Sequence, residues 1–337
     1  MKNNMLECTP VLFALLDTLP YPISPCRIGG TANIWRTVPH NLRSAMPDLA
    51  PQRSEAILTT VDGSPRDGQS ADTAQVEIRS AKTREDFEAC VELQRDTWGR
   101  SFSEVVPVSM MQVTGKMGGI CMGAFAPGGE MLGVVYGVTG VRNGELAHWS
   151  HMLAVRPRAR NMGIGKRLKL AQREALVAQG VSTMYWTYDP LVARNAHLNL
   201  NLLGASIDRF VPDMYGASDS DLHRLGTDRF IVRWDLNRES TAVASARREA
   251  RARRGGSRPM LGIPGDKTGI PRGLDAVEVV IPSDIEAVEA SSFDEALEWR
   301  HASRRAFQRL LDGRYEVSGF IVGRTHARYV VSRVAGR

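Results

Sequence analysis

Long apolar runs are missing from this sequence. No stretch of about 18 consecutive apolar residues occurs in its 337 residues, which excludes a membrane-spanning helix and leaves no membrane partner to expect. Cysteine is scarce. The four, Cys8, Cys26, Cys90 and Cys121, show no close pairing along the chain, so neither a disulfide framework nor a zinc site is expected, and a reducing cytoplasm is the simplest location. Acidic residues fall short of basic ones, 37 against 43, for a net charge of +6, which favours an anionic ligand without choosing its class. Aromatic residues are only 7% of the chain, yet its middle holds enough Val, Ile, Leu and Trp to bury a core, and this excludes disorder throughout.

The first 74 residues carry little structural signal. Val11 to Leu16 is apolar with Lys2 before it, but Glu7 and Asp17 bracket the run and no clean cleavage site follows, which argues against a secretory signal. Pro20 to Ala74 is rich in Pro, Gly, Ser, Thr and Asp without a sustained period, so residues 1–74 are expected to form a disordered or loosely structured extension.

Periodicity begins near Gln75. Val76 and Ile78 flank Glu77 as in a strand, and Thr83 stands three residues before Asp86 as a capping box would require. The helix that follows carries Phe87, Val91, Leu93 and Trp98. Gly118–Ala126 and Met131–Val141 are apolar, and the turn residues Pro127, Gly128 and Gly129 part them into an antiparallel hairpin. Glu145–Val155 reads as a third strand, with His148, Ser150 and His151 as unusual polar content. Ile164, Leu168, Ala171, Ala175 and Ala178 predict the apolar stripe of a helix, which Gly180 ends. A strand at Ser182–Tyr188, a helix at Ala193–Leu203 and strands at Ala205–Val211 and Asp228–Leu236 follow. Helices alternating with strands predict the α/β class, with a mixed sheet flanked by helices.

The turn from Arg160 to Lys166 joins a predicted strand to a predicted helix. A helix start offers unpaired N–H groups and a partial positive charge, and glycines at 163 and 165 let a ligand approach the backbone. Arg156, Arg158, Arg160, Lys166 and Arg167 crowd this end, where each exposed cation opposes the helix dipole by about 0.3–1 kcal/mol. Such crowding suits a facing anion, and a tight turn with solvated arginines is the alternative. The turn lacks the Gly-Lys-Ser/Thr of a nucleotide-hydrolysing loop and the G-x-G-x-x-G of a dinucleotide fold.

The pattern Val155-x-Pro157-x-x-Arg160-x-x-Gly163-x-Gly165-x-x-Leu168 resembles the acyl-CoA-binding motif of the general N-acyltransferase (GNAT) superfamily. The resemblance spans about residues 75 to 236. Ser150–Val155, Trp186–Leu191, Arg194–Ala196, Tyr215–Gly216 and Thr227–Phe230 resemble a bacterial branch known mostly as predicted acyltransferases. It implies a GNAT-like sheet, acetyl-CoA or another acyl-CoA as donor, and a small amine as acceptor. It also implies direct transfer with no metal and no covalent intermediate. Arg160, Asn161, Met162, Gly163, Ile164, Gly165 and Lys166 would then hold the pyrophosphate, and the backbone at Leu153 and Val155 the pantetheine and thioester. Asn195 would order its loop or meet the cofactor, unless it caps a helix. Family members often carry a Glu base on the strand before the motif and a Tyr acid on a later helix. Here the Tyr position aligns with Leu200, and that helix has no Tyr.

His151 is the candidate base, because a neutral imidazole accepts a proton near pH 7; a histidine bonded only to backbone is the bland alternative. Tyr215 is the candidate acid, set against a loop tyrosine packed under Gly216. Asp228 and Arg229 read as a structural ion pair, and Glu145 lies too near a hairpin turn to serve as base. Residues 237–275 read as a basic flexible linker. Its Arg-rich run lacks interleaved aromatics, so nucleic acid is the disfavoured partner. Residues 276–337 read as a βαββ module packing on the central domain of residues 75–236. Ser292 and Glu295 form a capping box there, Ala296, Trp299, Ser303, Ala306 and Leu310 make one helix face, and Arg300, Arg304, Arg305 and Arg309 make the exposed one. Covering the substrate site or a homodimer partner are both open to this module. Two rivals to an acyltransferase remain open: an acyl-CoA-binding protein without catalysis, favoured by the absent Tyr, and a nucleic-acid-associated regulator, favoured by the basic linker.

Overall fold

A computed structural model describes residues 75–237, 258–265 and 274–334, all within one unit of the chain. The expectations for residues 1–74 and for most of the segment 237–275 fall outside the described residues.

Seven strands form the larger sheet: β1 (Glu77–Ser80), β2 (Ile120–Phe125), β3 (Met131–Arg142), β4 (Glu145–Val155), β5 (Thr183–Tyr188), β6 (Ser206–Val211) and β7 (Arg229–Asp235). Their order is β1-β2-β3-β4-β5-β7-β6. The β4/β5 pair is parallel and the other neighbours are antiparallel, which is the mixed α/β sheet the alternation of elements predicts. Both faces of its centre are covered. Helices α1 (Arg84–Trp98) and α2 (Val108–Lys116) bury Phe87, Leu93 and Met111 with Val134 and Met152. Helix α3 (Ile164–Ala178) buries Ile164 and Leu168 with Ala124, Leu132 and Val135. Val134 and Val135 therefore serve opposite faces, and β3 is buried without alternation from Met131 to Gly137.

Local signals explain several boundaries. Thr83 and Asp86 make the reciprocal capping box that opens α1. The β3–β4 hairpin turns on Asn143 and Gly144, with φ of 54° and 82°, the positive pair a type I′ turn requires. Helix α2 was not predicted. It is short, contains Gly115 and starts behind Pro107 without a side-chain cap, so neither period nor cap announces it. Only the first turn of the helix predicted at 193–203 is α-helical, α4 (Ala193–Ala196); His197–Leu202 continues it as a wider π-helical stretch. The stripe of α3 is also rotated from the predicted one. Its buried residues are Ile164, Leu168, Lys169, Gln172 and Leu176, and Ala178 is exposed.

The smaller sheet has the order β10-β11-β9-β8, built from β8 (Met260–Leu261), β9 (Ala276–Pro282), β10 (Tyr315–Ile321) and β11 (His326–Arg333). It carries more than a βαββ piece. Strand β8 comes from the segment expected as linker, and α5 (Ile285–Ser291) precedes α6 (Phe293–Leu310). Ser292 caps α6 by accepting the Glu295 N–H at 3.2 Å. The predicted inner face of α6 is buried, but Arg300 is buried too, against the expectation of an exposed arginine face. Aromatic rings join the two sheets. Phe230 of β7 lies 4.8 Å from Phe307 and 5.4 Å from Tyr329, and the Tyr329 hydroxyl donates to the Pro190 carbonyl at 2.8 Å. Cys90 and Cys121, far apart in sequence, meet in the core as free thiols with sulfurs 3.9 Å apart, a contact that spacing along the chain does not announce. Among the described residues no helix is long and apolar enough to cross a membrane, and no cluster of side chains could hold a metal ion.

Candidate active site

The turn before α3 has the geometry of an anion cradle. Asn161 (φ 65°) and Gly163 (φ 71°) are both left-handed. Gly163 is the N-cap, with no side-chain cap and no acidic residue in the first turn. A Cβ on Gly163 would meet nothing within 4 Å, so the space beside the N-cap is open, and no side chain caps the N–H groups of the first turn. Acidic partners take up part of the positive charge around this turn. Arg156 pairs with Asp96 at 2.7 Å, Arg158 pairs with Glu130, and Arg167 donates to the Val76 carbonyl at 2.5 Å. Arg160 and Lys166 make no ion pair among the described residues and carry what remains of the positive field.

Beyond this turn the sheet opens. Strands β4 and β5 pair only from Ala147 to Trp149 and from Thr183 to Tyr185. Past that point β5 continues against β7, and β4 against β3, so the two strands diverge. A bulge lies where the two strands part. Tyr136 pairs with Met152 but Val138 pairs with Trp149, so β4 holds one extra residue at Ser150–His151 opposite Gly137. Gly137 allows it. A Cβ there would lie 2.5 Å from the Trp149 carbonyl oxygen and 2.8 Å from the Ser150 Cα.

The gap holds a cavity of about 320 Å³. His151 and Leu153 line it from β4, Asn195 from α4 and Tyr215 from the β6–β7 loop, so four residues predicted from sequence meet here. Val155 and residues 160–166 do not line it. Their link is Gly165, whose Cβ position lies 3.8 Å from Leu153 and 4.0 Å from Leu198, both on the cavity wall. The His151 side chain is open to the cavity yet surrounded by protein. Desolvation holds its pKa below the usual value, and the Glu104 carboxylate opposes that shift. Its ring stands edge-on to Tyr136 at 6.2 Å. The Tyr215 hydroxyl shares a 3.0 Å hydrogen bond with Thr187, and its ring stacks on His223. Asn195 is not a helix cap, since Val192 holds that position. Leu200, where a family Tyr would stand, is buried in the core.

Behind this wall runs a buried polar chain that the sequence did not announce. The Thr139 hydroxyl donates to the Gly118 carbonyl at 2.9 Å and contacts His148 Nδ1 at 3.0 Å. Gln172 reaches His148 Nε2 at 3.0 Å, Ser150 donates to Gln172 at 3.0 Å, and Lys169 Nζ donates to Ser150 Oγ at 2.7 Å. With Thr139 donating to a carbonyl, its oxygen accepts from His148 Nδ1–H, which leaves Nε2 to accept from Gln172. Burial, with the Lys169 charge second, lowers the His148 pKa to about 3, so this ring stays neutral. Lys169 is 2% exposed, yet it and Ser150 line the cavity. The signal available in the sequence was a Lys and a Gln on the inward side of an apolar helix.

At the far end Asp189 closes β5. Burial would raise its pKa, but Arg300 and then Arg229 hold it below the usual carboxylate value. Asp228 and Arg229 do not pair side chain to side chain as expected. Asp228 takes Arg304 at 2.6 Å, and Arg229 donates to the Asp228 backbone carbonyl at 2.8 Å.

No protein-family model matches the chain, and no curated protein matches it. Solved structures are similar over about half its length. The ribosomal-protein-S18-alanine N-acetyltransferase from Escherichia coli is 17% identical, with 48% of this chain and 95% of that one covered and a TM-score of 0.38. An acetyltransferase of the GNAT family from Streptococcus pneumoniae is 18% identical, covering 48% and 99%, with a TM-score of 0.39. An aminoglycoside 6′-N-acetyltransferase complexed with coenzyme A is 15% identical, covering 48% and 98%, with a TM-score of 0.37.

Proposed function

We propose that this chain is a GNAT-type, acyl-CoA-dependent acyltransferase that moves an acetyl or another short acyl group to a small amine. One observation carries the reading. A wedge opens between two parallel strands, and its wall adjoins an uncapped, acid-free helix start. The chemistry needs both parts, one for the phosphates of the donor and one for its thioester arm. The residues present fit such a donor. The N–H groups from Gly163 to Lys166 and the side chains of Arg160 and Lys166 would hold the pyrophosphate, with Asn161 and Met162 shaping the turn around Ile164. The edge of β4 at Leu153 and Val155, unpaired toward β5, offers hydrogen bonds to the thioester arm, and Asn195 stands across the wedge. When bound, the donor supplies an acyl group activated as a thioester.

His151 takes the proton from the amine. Its lowered pKa keeps the imidazole neutral, and therefore basic, at neutral pH. Tyr215, the acid that the sequence suggests, lies in the same cavity with its hydroxyl bonded to Thr187.

Acetyl-CoA should raise the melting temperature by mass action, by the equivalent of about 2.7 kcal/mol at a hundred times its Kd. Gly163→Asp keeps a residue type that tolerates left-handed backbone and places a carboxylate in the open space over the turn. The variant should fold and lose the shift. A shift of full size in that variant removes the anion site from 160–166, and release of free CoA thiol across a panel of primary amines tests the transfer itself.

A further inference from the structure

Lys169 is a cation buried without a counter-ion. No carboxylate pairs with it among the described residues. Its Nζ is held by the Ser150 hydroxyl at 2.7 Å, more loosely by Gln172 Oε1 at 3.5 Å, and lies 4.1 Å from the centre of the Trp186 ring. A lysine with only structural duties would send its amine to solvent along its flexible stem. This one ends at the cavity, at the point where β4 and β5 part. It follows Gly165 by four residues and so lies one turn along the same face of α3 as the glycine that adjoins Leu153.

We infer that Lys169 is the proton donor to the thiolate that leaves in acyl transfer, with Ser150 and Gln172 as its positioning residues. The inference rests on the acyltransferase reading above. The balance of the step is simple. The amine nitrogen forms its bond to the acyl carbon and the C–S bond breaks, with its electron pair left on sulfur. The amine proton goes to His151, and sulfur takes a proton from Lys169. Both side chains then return to their starting states by exchange with solvent, so no further reactant is required. Lys169 suits the role better than Tyr215, whose hydroxyl is engaged with Thr187 and whose side chain is 41% exposed. It also supplies an acid on a chain where Leu200 replaces the family Tyr.

The surroundings set the working range. Burial lowers the Lys169 pKa to about 7. On β4 it faces Ser150 and the neutral His148, on β5 the uncharged Trp186 and Met184, and on its own helix Gln172. His151 and Glu104 lie farther along the cavity wall, as do Asp189 with Arg229 and Glu286 with Glu289. An acid must hold its proton, so the rate falls as pH rises through about 7. A base must be free, so it also falls as pH drops through the His151 pKa.

The test uses the full-length protein and CoA itself. In the wild type the rate of acyl transfer should fall as pH rises through about 7, and Lys169→Met should keep the thermal shift with CoA. With acetyl-CoA and whichever amine turns over, Lys169→Met should lose about a hundredfold in rate together with the alkaline limb of the pH profile, and Tyr215→Phe should keep that limb. A wild-type rate that does not fall as pH rises through about 7 and beyond overturns the inference, even if the Met variant does not fold. So does a Met variant with the wild-type profile. In both cases CoA binding and transfer would leave the acyltransferase reading standing. Absence of any CoA-induced thermal shift removes that reading, and the inference with it.

Discussion

His148 and His151 stand three residues apart on β4 and have different fates. The bulge between them puts His148 into the sheet's interior, where Thr139 and Gln172 satisfy both ring nitrogens, and leaves the His151 ring facing the cavity with no hydrogen-bond partner among the described residues. A group that is to receive a proton from a ligand needs that open nitrogen. With His151→Gln, turnover should fall about a hundredfold and the acid limb of the pH profile, centred below the usual imidazole value, should disappear. Rates measured from pH 5 to 8 check this, and a retained acid limb would remove His151 as the base. His151 was legible in the sequence because a polar residue in an apolar strand stands out. Lys169 was not, since its partner Ser150 lies 19 residues away and becomes visible only once α3 is docked on the sheet.

At the scale of elements, the wedge depends on an extra residue in β4 and on the absence of one methyl group in β3. Gly137→Ala would press a Cβ onto the backbone of Trp149 and Ser150, atoms that cannot rotate away. The expected cost is about 1–3 kcal/mol, the usual range for overpacking, with a lower melting temperature and weaker CoA binding as the bulge relaxes. Gly133→Ala is the comparison, because its Cβ would meet the Ile164 and Leu168 side chains at 3.2 Å as well as the Ala154 carbonyl oxygen at 3.0 Å, away from the bulge. Equal loss of CoA binding in both variants would argue against a special role for the bulge. Strand β4 was read from sequence with its observed ends, because alternation and a hairpin turn mark them. The bulge itself was hidden. One inserted residue changes register without changing composition, and only pairing with β3 reveals it. The predicted stripe of α3 erred for a related reason. It followed small apolar alanines, whereas burial on this helix includes a charge held by hydrogen bonds.

Across the whole molecule, the aromatic junction makes the C-terminal sheet part of the larger sheet's core. Arg300 reaches from α6 to Asp189 at the cavity's end and to the Leu225 carbonyl at 3.0 Å. The amphipathic face of α6 was legible, but the buried Arg300 opposite Asp189 was not, because 111 residues separate the pair. The buried lysine has a separate consequence, for folding equilibrium rather than for proton transfer. Unfolded, Lys169 would titrate near its usual 10.5; folded, it titrates near 7. Between those values the unfolded chain binds the extra proton, so this group makes the fold more stable as pH rises from 7 toward 10, and at or below neutrality it costs on the order of a few kcal/mol. Replacing such a charge by an apolar side chain is often stabilising by about 1–4 kcal/mol. Lys169→Met should therefore melt higher than the wild type at pH 6, and the gap should close as pH approaches 10. A gap of constant size would mean that the lysine keeps its proton in the fold over the whole range, with its pKa not lowered. A gap that closes would identify a fold that is held below its attainable stability by the proton kept at its central cavity.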